Sequence, residues 1–205
     1  MLLTKIHTPT SAKNLVPRRS LYDMLNERLN RKLILVSAPA GYGKTTTLTD
    51  WIEKNEIPTA WFSIDTRDND PYEFFTFVIS SIQRTFETIG KNSLELLTPP
   101  GTVGLDYIIE LLINDLLKIE KDLLLVLDDF HLINNEQVID IVSFLLEFKP
   151  KHFHVAILTR SDPAIPLSRF RSQNEILEIR SSDLSFSENE ISELFKTYET
   201  SKVLS

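Results

Sequence analysis

A glycine-containing segment near the N-terminus has the residue types of a phosphate-binding loop. Residues 37–46 read Ser-Ala-Pro-Ala-Gly-Tyr-Gly-Lys-Thr-Thr, and they follow a short apolar run at 33–36. Successive backbone N–H groups in such a loop, together with the N-terminus of the helix that follows, present donors and partial positive charge to phosphate oxygens. The segment therefore predicts that the chain binds a nucleotide.

Each side chain of this loop has an expected role. Gly41 and Gly43 would let the backbone approach a phosphate, Lys44 would bridge the β- and γ-phosphates, and the Thr45 hydroxyl would ligate Mg²⁺. The first glycine of the usual G-x-x-x-x-G-K-[ST] motif is Ala38 here, which matters little if its φ suits alanine. Chance would give a G-x-G-K-[ST] string in under about 1% of chains of this size. The predicted nucleotide-binding positions of the loop are Ala40, Gly41, Tyr42, Gly43, Lys44, Thr45 and Thr46.

An acidic pair ends a second apolar run. Residues 123–127 are apolar at every position, as in a central parallel strand covered on both faces, and Asp128 and Asp129 follow. A carboxylate at the carboxyl end of a strand beside the phosphate loop can hold Mg²⁺, usually through water. We assign that metal role to Asp128 with Thr45, and the polarisation of an attacking water to Asp129. The alternative is that the pair only ends the strand and caps the next turn.

Arg160 completes the predicted catalytic set with Lys44 and Asp129. It follows an apolar run at 153–159. Ligands of open parallel sheets lie outside the carboxyl ends of the strands, so a guanidinium at this position is expected to reach a γ-phosphate and report its presence. An arginine that is simply exposed at the surface is the alternative.

Other polar residues carry weaker expectations. His131 is a candidate to orient a water or sense the phosphate, but a packed or solvent-facing imidazole is equally compatible with the sequence. His152 and His154 share one strand face, although no third ligand for a metal is evident. Asp68 and Asp70 precede a helical stretch, where a solvated turn is favoured over an effector contact.

Strand-length apolar runs alternate with stretches of helical period, which is the pattern of βαβ units and a mostly parallel sheet. Strands are predicted at 33–36, 60–64, 123–127, 153–159 and 176–179, and helices after the loop, at 72–89, at 105–119, at about 136–148 and from the capping box formed by Ser187 and Glu190. The predicted fold class is α/β, a P-loop NTPase fold in which helices flank a central sheet as three layers.

Composition excludes several other classes. The 205 residues carry 22 basic and 29 acidic side chains, a net charge of −7, which argues against a surface built mainly for nucleic-acid phosphates. The absence of Cys excludes disulfides, thiolate metal sites and a Cys nucleophile. No apolar run approaches the roughly 20 residues that cross a bilayer, and the N-terminal residues do not form a signal peptide. We therefore expect a cytoplasmic protein without a membrane partner.

These motifs, in this order, resemble the nucleotide-binding domain of the STAND class of signal-transduction ATPases, and within it the MalT-like branch of large ATP-dependent LuxR-type transcriptional regulators. The matching segments are 15–18 with Leu21, 37–46, 60–65, 68–71, 127–131, 159–160 with Pro163, and 184–187 with Glu190. The resemblance implies that Arg18 lies beside the base or sugar of the nucleotide and that Arg160 is the sensor arginine. It also implies ATP or ADP as the bound nucleotide, an inducer-driven switch, and self-association in the ATP state.

The domain boundaries follow from the same reasoning. We expect residues 1–183 to form the nucleotide-binding domain, with residues 1–30 on the base side, and residues 184–205 to begin a following helical domain that is cut short. The resemblance places inducer-sensing repeats and a DNA-binding helix-turn-helix beyond residue 205, so this chain is not expected to contact DNA directly.

The leading hypothesis is a regulatory ATP-binding switch that hydrolyses ATP slowly. One alternative is a phosphoryl-transferring kinase on the same loop, which would need an acceptor-substrate base and a mobile arginine-rich lid. Beyond Arg160 the arginines are Arg169, Arg171 and Arg180, with no glycine-hinged insertion beside them. The other alternative is an interaction module that keeps the fold but binds no nucleotide.

Overall fold

The computed structural model describes residues 2–11, 15–27, 31–98, 100–101 and 103–203. Within them, five strands form one sheet in the order β2-β3-β4-β1-β5, and every pair of neighbouring strands is parallel. The strands are β1 Leu33–Ser37, β2 Thr59–Ser63, β3 Leu123–Asp128, β4 Phe153–Thr159 and β5 Ile176–Arg180. All five predicted strands are present, with ends that agree to within one residue.

Helices connect the strands and cover the sheet. The α-helices of the described residues are α1 Arg19–Asn26, α2 Lys44–Lys54, α3 Pro71–Gln83, α4 Lys91–Leu96, α5 Leu105–Leu116, α6 Glu136–Phe148, α7 Leu167–Ser172, α8 Ser181–Leu184 and α9 Glu188–Val203. Short 3₁₀ helices occupy Leu3–Ile6 and Phe130–Leu132. The short helices α1, α4, α7 and α8 were not predicted, because each spans too few turns to establish a helical period.

Two apolar clusters, one on each face of the sheet, explain why the central strands are apolar at every position. Leu33 and Leu35 of β1 belong to the cluster that includes α3, α5 and α6. Their neighbours Ile34 and Val36 belong to the opposite cluster, with α1 and α2. Side chains alternate between the faces of a strand, so β1 needs apolar residues throughout. The three-layer α/β architecture predicted from the sequence is confirmed.

Helix α3 is shorter than the predicted stretch at 72–89. It ends at Gln83, and Arg84 is its C-cap. Phe86 and Ile89 still pack against the core, but they do so from a turn that leads to Gly90. Gly90 has a left-handed φ of 70° and begins α4. The helical spacing of apolar residues therefore continued past the end of the helix itself.

Two parts of the N-terminal segment lie at different places around the sheet. The 3₁₀ helix Leu3–Ile6 contacts the edge strand β2, whereas Leu15, Val16 and Arg18 lie beside the phosphate loop. Residues 12–14, 28–30 and 204–205, which belong to the predicted N-terminal and C-terminal segments, lie outside the described residues.

The turn before α3 is not simply solvated. Asp68 is buried, and it accepts hydrogen bonds of 2.6 and 2.7 Å from the Lys5 ammonium. Asp70 is the N-cap of α3 and accepts from the backbone N–H groups of Tyr72 and Glu73. The prediction of a solvated turn is wrong for Asp68, because a lysine 63 residues away supplies its counter-charge.

Candidate functional site

The glycine-containing loop joins the end of β1 to the start of α2. Gly41 and Gly43 have φ of 85° and 76°, a left-handed conformation that costs residues with a Cβ about 1–2 kcal/mol. Gly43 is also the N-cap of α2, so its conformation turns the chain directly into the helix. Ala38, at the position of the first motif glycine, does not have a positive φ. Alanine is therefore compatible with the loop, as the sequence suggested.

Lys44 is the first residue of α2 and reaches back across the loop. Its ammonium donates to the carbonyl oxygens of Ala38 at 2.7 Å and Pro39 at 3.1 Å. Burial lowers the pKa of Lys44, while the negative charges of Asp129 and Asp128 oppose that shift. Because an ammonium has three N–H donors, these two bonds leave one for another acceptor.

Thr45 and Asp128 join the loop to the end of β3. The Thr45 hydroxyl lies 3.1 Å from one carboxylate oxygen of Asp128 and 3.4 Å from the other. Burial raises the pKa of Asp128 to about 6, the charge of Asp129 adds to this, and the hydrogen bond from Thr45 opposes it. The sequence predicted this carboxylate on a strand beside the loop, but β4 lies between β1 and β3.

Asp129 leaves the sheet with its side chain partly in solvent. Its φ of 59° is left-handed, and its backbone N–H donates to the Asp128 carboxylate at 3.0 Å. Asp adopts this region more readily than most residues with a Cβ, and the conformation turns the chain away from the sheet. The Asp129 side chain is 48% exposed, so its carboxylate is accessible to a ligand.

His131 lies behind Asp129. Its Nδ1 is 3.8 Å from a carboxylate oxygen of Asp129, too far for a hydrogen bond, and has no hydrogen-bond partner among the described residues. Burial lowers the pKa of His131, and the positive charge of Arg160 lowers it further. The sequence left it open whether this imidazole is packed, faces solvent or acts on a ligand. The structure shows that it is mostly shielded from solvent, beside Asp128 and Asp129.

A polar cavity of about 360 Å³ lies over the start of α2. Its lining includes three residues predicted to be catalytic, Lys44, Asp129 and Arg160, although they come from three different segments of the chain. The full lining is Ala40, Gly41, Gly43, Lys44, Thr45, Thr46, Asp129 and Arg160. The structure thus brings together the loop, one carboxylate and one guanidinium, while Asp128 contacts the cavity through Thr45.

A second cavity, of about 470 Å³, lies on the other side of the same loop. Both cavities are lined by Gly41, Gly43 and Thr46, so they meet at the loop. The other residues of the second lining are mainly apolar and come from both ends of the chain and from the loop and α2: Leu15, Val16, Arg18, Tyr22, Tyr42, Thr47, Asp50, Leu184, Ser185, Phe186, Ile191 and Leu194. Tyr42, predicted with the phosphate loop, therefore lines this second cavity.

Arg18 forms part of the wall of the apolar cavity. It is buried, and its Nε donates to Glu190 at 3.0 Å. Its Nη2 lies 3.0 to 3.2 Å from three consecutive backbone carbonyl oxygens, those of Asp183, Leu184 and Ser185. The guanidinium also lies over the Phe186 ring, 4.5 Å from its centroid. Sequence reasoning placed Arg18 near a ligand but missed its partner Glu190.

Other candidate groups are engaged elsewhere. His152 lies 2.8 Å from the carbonyl oxygen of Leu116, and His154 lies 3.4 Å from the carboxylate of Asp122. Among the described residues, no cluster of three or more His, Asp or Glu side chains is arranged to hold a metal ion. The helices of the described chain include none with the length and apolarity needed to cross a membrane.

Comparison with known sequences identifies a related group of regulators. The chain is 30% identical over 204 residues to the HTH-type transcriptional regulator MalT from two strains of Klebsiella pneumoniae. The alignment includes 99% of this chain and 22% of the regulator, so the chain spans about a fifth of the length of these curated relatives. No protein-family model matches the chain.

Solved structures with the same fold are more distant in sequence. Cdc6p from Pyrobaculum aerophilum superposes with a TM-score of 0.60 at 16% identity, covering 96% of this chain and 53% of that chain. A Walker-type ATPase of Pyrococcus abyssi gives a TM-score of 0.58 at 15% identity, covering 98% of this chain and 63% of the other. The chain therefore has the predicted P-loop NTPase fold, and its resemblance to the MalT-like regulators is confirmed along nearly its whole length.

Proposed function

We propose that this chain is an ATP-binding regulatory switch with slow ATP hydrolysis, and that it forms the nucleotide-binding part of a MalT-like transcriptional regulator. One observation carries the proposal: a polar cavity and an apolar cavity meet at the glycine-containing loop. A nucleoside triphosphate has the same division, with a charged chain at one end and a flat base at the other.

The polar cavity suits the phosphate chain. The loop and the N-terminus of α2 supply backbone donors and partial positive charge, and Lys44 adds a full charge. Thr45 and Asp128 offer a hydroxyl and a carboxylate within 3.1 Å of each other, which are oxygen ligands of the kind that Mg²⁺ prefers. Mg²⁺ held by this pair would neutralise charge on the phosphates.

Hydrolysis would rest on Asp129 and Arg160. The Asp129 carboxylate reaches the cavity from the end of β3 and would polarise a water for attack on the γ-phosphate. Arg160 would stabilise the charge of the transferred group. Arg160 is exposed and the Asp129 side chain is about half exposed, and electrostatic stabilisation is weaker where water has access. This exposure supports slow turnover, which suits a switch.

A switch needs different contacts in its two states. Arg160 lines the polar cavity with Lys44 and Asp129, so it would contact the γ-phosphate of ATP and lose that contact with ADP. Self-association in the ATP state is part of the same proposal. The relatives are HTH-type transcriptional regulators, and we assign DNA contact and inducer sensing to parts of such a regulator outside this chain, acting in the cytoplasm. The net charge of −7 supports the absence of direct DNA binding here.

The kinase alternative loses support from the arginines that would form a lid. Arg169 makes two bonds to Glu147, and Arg171 and Arg180 share the carboxylates of Asp162 and Glu178. Closure over a substrate would require these ion pairs to break. The nucleotide-free alternative is disfavoured because the chain retains Lys44 and Thr45 at the start of α2 and a carboxylate, Asp128, 3.1 Å from the Thr45 hydroxyl.

Titration calorimetry with Mg²⁺ and ATP tests the proposal. The wild-type chain should bind ATP, and Lys44→Ala should abolish detectable binding because it removes the charge at the centre of the loop. Lys118→Ala is a matched control, since Lys118 is an exposed lysine paired with Asp115 on α5. Unchanged ATP affinity in Lys44→Ala would reject this site. Analysis of the nucleotide released when purified protein is denatured would show whether ATP or ADP is bound.

A further inference from the structure

We propose that Glu190 is a positioning residue that acts through Arg18: it fixes the outer wall of the apolar cavity and so determines how tightly the base end of the nucleotide is held. The inference rests on the proposed function, because it assumes that a nucleotide occupies both cavities. It adds a residue that touches neither the phosphate chain nor the reacting atoms.

The wall in question is the segment from Asp183 to Phe186. Arg18 donates to it: its Nη2, which has two N–H groups, lies 3.2, 3.0 and 3.0 Å from three successive carbonyl oxygens of the segment and shares its donors among them. The same guanidinium covers the ring of Phe186. Leu184, Ser185 and Phe186 all line the apolar cavity. Arg180 and Ser181 also bond to this segment, and Arg18 adds the contacts that face the cavity.

Glu190 determines the orientation of Arg18. Its carboxylate accepts the Arg18 Nε–H at 3.0 Å, and the two side chains are only 8% and 13% exposed. A charge-assisted hydrogen bond that is largely shielded from water is stronger than a neutral one and restricts both partners. Arg18 and Glu190 are 172 residues apart. Their contact joins the N-terminal side of the cavity to the first turn of α9.

Glu190 is itself held in place. Its second carboxylate oxygen accepts hydrogen bonds from the backbone N–H and the hydroxyl of Ser187, at 2.8 and 3.0 Å. This is the capping box that begins α9. Burial raises the pKa of Glu190, but the Ser187 bonds and the charge of Arg18 outweigh it and hold that pKa below its ordinary value. The carboxylate is therefore ionised at neutral pH and rigidly placed to orient Arg18.

Different residues would therefore hold the two ends of the ligand. The phosphate chain would be held by the loop, Lys44 and Thr45, none of which contacts Glu190. Only the base end would meet the wall that Arg18 and Glu190 position. Loss of Glu190 should therefore lower the affinity for ligands that carry a base and leave the affinity for ligands made of phosphates alone unchanged.

Calorimetry with two probes, Mg²⁺-ATP and Mg²⁺-tripolyphosphate, tests this expectation. We expect Glu190→Ala to weaken ATP binding about tenfold, the effect of losing one charge-assisted hydrogen bond, and to change tripolyphosphate binding less than twofold. Glu190→Gln keeps the size of the side chain and an acceptor oxygen, so its affinity for ATP should fall only about threefold. Glu188→Ala is the matched control, because Glu188 is an exposed glutamate in the same helical turn, and it should bind both probes as the wild type does.

Arg18→Lys gives an independent check. A lysine keeps the positive charge but has no planar fork, so it cannot contact Glu190 and three carbonyl oxygens together. Arg18→Lys should lower the affinity for ATP and leave that for tripolyphosphate unchanged, as expected for Glu190→Ala. Thermal unfolding of each variant establishes that it is folded at the temperature of the titration.

The outcomes separate the two proposals. Wild-type ATP affinity in Glu190→Ala, or equal weakening of ATP and tripolyphosphate, would overturn the positioning role while leaving the proposed function intact. A wild-type chain that binds neither probe would overturn the proposed function, and the positioning role with it. Selective weakening of ATP in Glu190→Ala and Arg18→Lys supports both.

Discussion

The hydroxyl of Thr45 lies 3.1 Å from a carboxylate oxygen of Asp128, although the strands that lead to these two residues are not neighbours in the sheet. Strand β4 lies between them, and Thr159 at its end is in register with Ser37 at the end of β1. The next residue along β4 is Arg160. The guanidinium therefore emerges between the loop and the acidic pair, which explains how Arg160 and Asp129 line one cavity.

Asp129→Asn should separate binding from hydrolysis. The amide cannot accept a proton from water, so we expect the rate of ATP hydrolysis to fall by about a hundredfold, which is within the usual range for loss of a general base. ATP affinity should change less than threefold, because Asp128 and Thr45 are unaltered. Calorimetry gives the affinity and phosphate release under single-turnover conditions gives the rate. Lost binding with an unchanged rate per bound nucleotide would contradict the role of Asp129.

Arg160→Ala should reduce the difference between ATP and ADP. The guanidinium lines the polar cavity and lowers the pKa of both Lys44 and His131 by its charge. Contact with a γ-phosphate would be available only to ATP, so we expect ATP affinity to fall about tenfold and ADP affinity to stay within twofold. Competition titrations with the two nucleotides measure both constants. Equal losses for ATP and ADP would show that Arg160 does not sense the γ-phosphate.

Without nucleotide or metal, the free energy of unfolding should depend on pH through the titration of Asp128. Burial raises the pKa of this carboxyl from 3.8 to about 6. In the window between these values the folded state binds more protons than the unfolded state, so the free energy of unfolding falls as pH rises. A shift of this size corresponds to about 3 kcal/mol, lost by pH 7.

Asp128→Asn removes this titration and keeps an acceptor for Thr45. We expect the variant to gain stability relative to the wild type as pH rises from 4 to 7, with the difference levelling off above the folded pKa. Urea unfolding at pH 4, 5.5 and 7.5 in the presence of a chelator measures it. A difference between wild type and variant that does not change with pH would show that Asp128 titrates normally.

The local parts of the site could be predicted from sequence, because the chain itself supplies them. Strand, loop and helix are consecutive around Lys44, and Asp128 follows directly from an apolar strand. The order of the strands could not be predicted, since it depends on contacts between distant segments. For the same reason the contact between Arg18 and Glu190 was missed, although the capping-box spacing of Glu190 was recognised.

The ends of helices and the burial of charged residues were also predicted incompletely from the sequence. Apolar spacing predicted a helix through Ile89, but the same spacing lets Phe86 and Ile89 pack from a turn. Asp68 was expected in solvent because its sequence neighbours are polar, yet Lys5 neutralises it in the interior. In each case the deciding contact came from a segment that a local window of sequence does not include.

Two glycines outside the site offer a matched test of packing. Gly90 and Gly101 both have left-handed φ, 70° and 81°, so alanine at either should cost about 1 kcal/mol in strain. A Cβ at Gly90 would also lie 2.7 Å from Ile79 Cγ2 and 3.1 Å from Leu112 Cδ1, whereas one at Gly101 would meet nothing within 4 Å. We expect Gly90→Ala to lower the free energy of unfolding by about 1–3 kcal/mol more than Gly101→Ala, the usual cost of overpacking a core. Urea unfolding of both variants measures this difference, and equal losses would mean that α3 and α5 are not packed against Gly90 as described.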